Sequence, residues 1–192
     1  MRVMLIQLPH FYGDDSRPPT IYPLGIGYLA SVLKDSHELE PMDLWADSSS
    51  IDQALKSISK KVPDVFCISV YSTQYPYFKE LINGLKKQYP QIKIIAGGPG
   101  ATYSWRIFME KTAVDYCVIG EGEVTLPELL QCLDDPSGVK GIAYRHNGKT
   151  LITSYREQIA NLDSIPLPDR SFFDIERYIH NSLTQEGFRS GS

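Results

Sequence analysis

Three short stretches carry residue types suited to ligand contact, and each follows an apolar run. Gly97-Gly98-Pro99-Gly100 follows residues 92–96. Without Cβ atoms this backbone can approach a ligand closely, or serve as an ordinary tight turn. Ser69, Tyr71, Ser72 and Thr73 stand at the end of the run 64–71. Their hydroxyls can hydrogen-bond a buried polar group of a ligand, or Ser72 or Thr73 can cap a following helix. Gly120-Glu121-Gly122-Glu123 follows residues 115–119. Glu121 or Glu123 can accept hydrogen bonds from ribose or amide groups, although a helix starting there favours acids in any case. A fourth stretch, Pro9-His10-Phe11-Tyr12-Gly13, sets a histidine just after the first apolar run.

These stretches must be positioned by the elements before them. Residues 2–8, 39–44, 64–71, 92–96 and 115–119 read as strands. Helical periods lie between them: 23–34, 51–58, 78–89, a weaker one over 105–111, and one opened by the capping box Thr125-Leu126-Pro127-Glu128. Pro41 predicts an edge position for the second strand. Such alternation predicts an α/β domain: a flavodoxin-like, doubly wound (Rossmann-like) five-stranded parallel sheet in the order 2-1-3-4-5. In such sheets ligands bind outside the carboxyl ends of the strands, where all four stretches fall, together with Asp43–Asp47 after the second strand and the third strand's exit as far as Gln74. Beyond residue 138 the chain changes character. Residues 141–145 and 150–155 flank His146-Asn147-Gly148-Lys149 and predict a hairpin. Residues 159–170, with Pro166 and Pro168, read as an extended linker, a short helix is expected around 172–179, and 184–192 as a polar tail without a packed element. The division expected is therefore 1–138 and 139–192.

Composition narrows the function. The chain has 192 residues, 42% of them hydrophobic, and a net charge of −4. It suits one domain with an appendage and excludes a disordered chain. No Lys/Arg cluster offers the basic footprint that nucleic acid requires. The apolar runs are too short for a membrane span and no leader is visible, so a cytoplasmic protein is expected. Three scattered cysteines, Cys67, Cys117 and Cys132, form no CxxC pair and argue against a zinc or iron–sulfur site within the chain. Cys67 and Cys117 read as small buried apolar residues.

Several motifs fail on position. Gly25-Ile26-Gly27-Tyr28-Leu29-Ala30 matches GxGxxA, with Asp43 where a ribose-binding acid would stand, but Gly25 follows Leu8 by 17 residues instead of opening the first turn. The acidic pair, Asp and Lys of a response-regulator receiver are missing, as is the hydroxyl-rich phosphate loop of a flavodoxin. No Ser-His-Asp set is readable. Corrinoid carriers of the methionine-synthase type carry Asp-x-His-x-x-Gly after the first strand, the histidine being the lower ligand of cobalt. Here His10 and Gly13 have that spacing, but Leu8 replaces the aspartate that would orient the imidazole.

Taken in order, residues 23–30 (PLGIGYLA), 64–72 (DVFCISVYS), 96–101 (AGGPGA) and 119–123 (IGEGE) resemble the N-terminal cobalamin-binding domain of B12-dependent radical SAM enzymes. The hairpin and the stretch LDSIPLPDRSFFDIERY resemble the linker into that family's radical SAM barrel. The resemblance implies a domain holding cobalamin base-off. Ser69 to Thr73 and Gly97 to Gly100 would then line the nucleotide tail and lower corrin face, and Gly120 to Glu123 would contact the tail. Pro9 and His10 are the further cofactor candidates, with His10 as the candidate cobalt ligand. It implies methyl transfer to an unactivated carbon as the reaction of the whole enzyme. The 4Fe–4S cluster and S-adenosylmethionine belong to a downstream radical SAM domain, because CxxxCxxC is absent here. This chain alone is expected not to be catalytic. It reads as a cofactor domain plus a linker cut short, with cobalamin and its own downstream domain as partners and neither nucleic acid nor membrane. A stand-alone corrinoid carrier or sensor, or a nucleotide-binding α/β domain, are the alternatives. A leucine at Gly98 is expected to abolish cofactor retention while sparing the fold.

Overall fold

The computed structural model describes residues 1–9, 19–47 and 50–187. At the centre of its five parallel strands lies β3 (Val65–Ser69), a nearly continuous apolar run that needs cover on both faces. β1 (Arg2–Gln7) and β4 (Lys93–Gly97) flank it in parallel, so that Leu5 stands opposite Cys67 and Cys67 opposite Ile95. β2 (Glu38–Asp43) pairs with β1 and β5 (Tyr116–Val118) with β4, again in parallel. β2 forms one edge of the sheet, where Pro41's missing donor is tolerated.

The hairpin does not stand apart. β6 (Ile142–His146) joins β5 antiparallel and β7 (Lys149–Ile152) joins β6. The sheet is therefore mixed and seven-stranded, in the order β2-β1-β3-β4-β5-β6-β7, where five parallel strands plus a separate hairpin were expected. The cause is β5's outer edge, whose backbone groups need partners. β6 supplies them, and Arg145 then fixes it by donating to the carbonyls of Val114 (2.9 Å), Thr112 (2.7 Å) and Met109 at the end of α4 (Gly98–Lys111). Asn147 and Gly148 both take positive φ, as the tight hairpin turn requires.

Strand alternation sends successive side chains to opposite faces. On one face Phe66 and Ile68 pack with Phe78 and Phe108 under α2 (Ile51–Ile58), α3 (Tyr75–Gln88) and α4. On the other, Leu5, Cys67 and Ile95 pack with Ile26 and Leu126 of α1 (Leu24–Leu33) and α5 (Gly122–Gln131). Both Cys67 and Cys117 are buried.

Three helix boundaries differ from expectation. α4 begins at Gly98 and is kinked at Ser104, so the helix expected from Trp105 is only its second half. The glycine stretch is thus a cap and first turn, with Pro99 at the position that suits it. α5 begins at Gly122, which places Thr125 inside the helix and not at its cap. The buried Thr125 hydroxyl accepts from Arg156 Nε at 2.8 Å. α6 (Ile175–Gly187) is longer than the expected short helix and takes in Thr184 of the expected tail. No helix among the described residues is long and apolar enough to cross a membrane.

Candidate functional site

A cavity of about 600 Å³ opens over the carboxyl ends of β1, β3, β4 and β5, on the α1/α5 face. Its floor follows from strand parity. Leu5, Cys67 and Ile95 share one cross-strand row, and Gln7, Ser69 and Gly97 the next row outward. Apolar side chains thus lie deep and polar or bare backbone lies toward the mouth. Ile26 and Leu29 of α1 wall one side and Leu126 of α5 the other. The volume is in the range of cofactor pockets.

The structure brings most of the expected site residues together here. Ser69 lines the cavity from the end of β3 and Tyr71 from the turn after it, and Gly97, Gly98 and Pro99 from the start of α4. Gly120, Glu121, Gly122 and Glu123 line it from the start of α5. Ser72 and Thr73 do not line it; they are exposed on a 3₁₀ turn, and neither caps α3. Gly100 is buried against β3, donating its N–H to Val70 O at 2.8 Å. Pro9 is buried beneath the β1 end, and His10 lies outside the described residues, as does the rest of its motif through Gly13.

The glycines have different tasks. Gly97, Gly120 and Gly25 have no heavy atom within 4 Å of the place a Cβ would take, so they hold space open. Gly98 is held at φ +82°, with Ser69 Oγ and Val70 O only 3.1 Å from that place. A leucine at Gly98 strains the backbone itself, so the expectation that it spares the fold is corrected; Gly97 is the position that tests the cavity alone.

Sequence reading missed several residues. Gln7 and Cys67 belong to the floor, and Tyr22 and Leu24 line the outer wall with Trp45, which stands in the expected stretch after β2 but carried no assigned role. Parity could have found Gln7, which is in register with Ser69. Gln74, at the end of the stretch after β3, carried no assigned role either. It is wholly buried, and its amide donates to Leu8 O (2.9 Å) and Pro9 O (3.0 Å) while its Oε1 accepts Tyr71 N–H at 2.8 Å. This one side chain ties the β1 exit to the β3 exit. Gln74→Leu removes the donor to Pro9 O and the acceptor of Tyr71 N–H, while Leu8 O keeps Gln7 Nε2 (3.0 Å), and is expected to cost about 2 kcal/mol. Urea unfolding checks this, and an unchanged midpoint refutes it.

Electrostatics at the rim are shaped by the chain itself. Glu121 Oε2 already accepts Ile159 N–H at 2.7 Å, so one of its oxygens is committed to the segment after β7. Burial pushes the Cys67 thiol well above its ordinary value, which keeps it protonated on the cavity floor. Asp43 is also shifted. Burial raises its carboxyl to about 6, against the N–H groups of Ala46 and Trp45, which lower it. A native pKa above the unfolded one means that the native state binds the extra proton, so Asp43's contribution is full below about pH 4 and is lost as pH rises through 6. The stability of the parent relative to Asp43→Asn should therefore fall by about 2 kcal/mol between pH 4 and 7.5, after allowance for solvent screening. Thermal melts of both proteins at the two pH values measure it; a constant difference contradicts it.

A mostly parallel sheet with an open cavity over its carboxyl ends defines a cofactor-binding domain of the doubly wound class. Residues 15–130 match the B12 binding domain family, and the chain belongs to that family. An uncharacterized methyltransferase of Pyrococcus horikoshii is 30% identical over 161 residues, covering 81% of this chain and 35% of the relative. The cobalamin-dependent S-adenosylmethionine radical enzyme OxsB, solved with aqua-cobalamin and S-adenosylmethionine bound, superposes with a TM-score of 0.75 at 20% identity, over 94% of this chain and 25% of that one. The radical S-adenosylmethionine methyltransferase TsrM of Kitasatospora setae, solved with cobalamin and a [4Fe-4S] cluster, gives 0.68 at 18% identity, over 89% and 32%. The chain thus spans about a third of the curated relative and a quarter to a third of the solved chains. Family membership makes cobalamin the cofactor of this domain. The cavity fits a bulky group, because three glycines hold it open and its depth is apolar below a polar rim.

Proposed function

We propose that this chain holds cobalamin, base-off, in the cavity between α1 and α5, as the cofactor-binding part of a B12-dependent radical SAM methyltransferase. The observation that carries the reading is the glycine-held space over the row Gln7–Ser69–Gly97, in a chain of the B12 binding domain family. The chemistry that a bound corrinoid supplies is delivery of a methyl group, here to an unactivated carbon. The chain's own residues bind and orient. The apolar rows exclude water from the depth, the Gly97-Gly98-Pro99 backbone takes the close approach, and Glu123 with the uncommitted oxygen of Glu121 accepts hydrogen bonds at the rim. Pro9, Ser72, Thr73 and Gly100 act next to the cavity as supports, and His10 is the candidate lower ligand of cobalt. β6, β7 and α6 pack onto this domain, and its proposed partner is a radical SAM domain that carries the 4Fe–4S cluster and S-adenosylmethionine.

The test is direct. Hydroxocobalamin is added, the protein is desalted, and the corrin absorbance that stays with it is measured; about one equivalent is expected, and none retained refutes the reading. His10→Ala then decides the axial ligand: a shifted corrin spectrum supports ligation, and an unchanged spectrum dismisses it.

A further inference from the structure

The outer wall of the cavity comes from two stretches far apart in sequence. Ile21 and Tyr22 form one part, and the turn after β2, with Trp45, forms the other. One helix grips both. From α6, Tyr178 OH donates to Asp43 Oδ2, while Arg177 donates to Asp47 Oδ1 at 2.8 Å and to the Ala46 carbonyl. Asp43 Oδ1 in turn accepts the N–H groups of Trp45 (3.0 Å) and Ala46 (2.9 Å). The carboxylate therefore passes the grip of α6 to the very residue whose side chain faces the cavity. One turn further along, Asn181 Nδ2 donates to Pro19 O at 2.8 Å and Ser182 Oγ to Thr20 O at 3.0 Å. Between the two grips Tyr178, only 4% exposed, packs edge-on against Tyr22 with ring centroids 5.6 Å apart.

Arg177, Tyr178, Asn181 and Ser182 do not themselves line the cavity. Their polar groups end on backbone carbonyls of both wall segments, on Asp43, which holds the Trp45 turn, and on the Asp47 carboxylate of that turn. A helix placed only to cover the sheet would need its apolar side, which Tyr178 and its neighbours already supply. The five polar contacts of these four residues do something else: they set the spacing between the Trp45 turn and the Tyr22 stretch.

We propose that α6 is the positioning clamp of the cofactor cavity, with Tyr178 as its pivot and Arg177, Asn181 and Ser182 as its grips. The inference rests on the corrinoid reading of the cavity and adds the element that keeps it shaped. By linkage, a helix that shapes the cavity is itself tightened when the cavity fills.

The experiment uses the full chain carrying Trp105→Phe, which leaves Trp45 as its one tryptophan. Two quantities are read: acrylamide quenching of Trp45 without cofactor, and the rate at which bound hydroxocobalamin is lost. Tyr178→Phe and Arg177→Met should each raise the quenching constant about twofold and speed corrinoid loss about tenfold, the scale of one charge-assisted hydrogen bond. Asn181→Ala with Ser182→Ala should speed corrinoid loss and leave Trp45 quenching unchanged, because it releases the other wall. Hydroxocobalamin should slow amide exchange in α6 of the unsubstituted chain. A helix with only a structural role would lower the melting temperature in these variants and move neither quantity. That result overturns the clamp, as does a change in quenching without faster corrinoid loss. If the unsubstituted chain retains no corrinoid, the proposed function falls separately, and Trp45 quenching alone then decides whether α6 holds the turn.

Discussion

Gly97→Leu is expected to lower corrinoid affinity at least about a hundredfold, roughly 2.7 kcal/mol, while leaving the fold intact. The backbone at Gly97 is extended (φ −135°, ψ −171°), a conformation that any residue adopts. Nothing lies within 4 Å of the place its Cβ would take, so the new side chain meets open cavity and not protein. It enters from the row Gln7–Ser69–Gly97, directly above the apolar floor. The unfolded chain loses freedom when glycine is replaced, which offsets any local strain by about 0.5–1 kcal/mol. Circular dichroism and the melting temperature should therefore match those of the parent, and desalting after addition of hydroxocobalamin should leave no corrin absorbance. Normal retention by a folded Gly97→Leu protein would show that the cofactor lies elsewhere.

The opposite outcome is expected three residues later. At Gly100 a Cβ would stand 2.7 Å from Val70 O and 2.9 Å from the Tyr71 carbonyl carbon, both backbone atoms that cannot rotate away. The N–H of Gly100 also donates to Val70 O at 2.8 Å, so α4 sits directly on the end of β3. Gly100→Val must push the helix off the strand and break that bond. Overpacking of this kind together with a lost buried hydrogen bond costs about 3 kcal/mol. For a chain of this size that lowers the melting temperature by about 6–12 °C. A differential scan decides it, and a melting temperature within about 2 °C of the parent's refutes the close contact. The pair of variants separates a glycine that makes room for a ligand from one that makes room for the protein.

The two glycines are indistinguishable in the sequence, where both belong to one Gly-Gly-Pro-Gly stretch. What separates them is strand parity and the position at which α4 starts. The same limit explains the other differences. Thr125 followed by Glu128 carries the pattern of a cap, yet α5 starts at Gly122, and the Thr125 hydroxyl is taken instead by Arg156 from beyond the hairpin. Residues 141–155 announced a hairpin through Asn147-Gly148, but no local signal says that its first strand pairs with β5. Gln74 shows no pattern at all, because a buried glutamine is recognised only by the carbonyls it meets, and Leu8 lies 66 residues away.

The class of fold, the rim of glycines, hydroxyls and carboxylates at the carboxyl ends of its strands, and the resemblance to a cobalamin-binding domain are all legible in the sequence. All of these rest on local periods and short spacings, which the chain carries regardless of how its ends meet. Which rim residues face a common cavity, that the hairpin completes the sheet, and that α6 bonds to both stretches of the outer wall emerge only from tertiary packing. Each of those depends on groups brought together from distant parts of the chain. Asp43 and Tyr178 are separated by 135 residues, and no period of 2 or 3.6 records that distance.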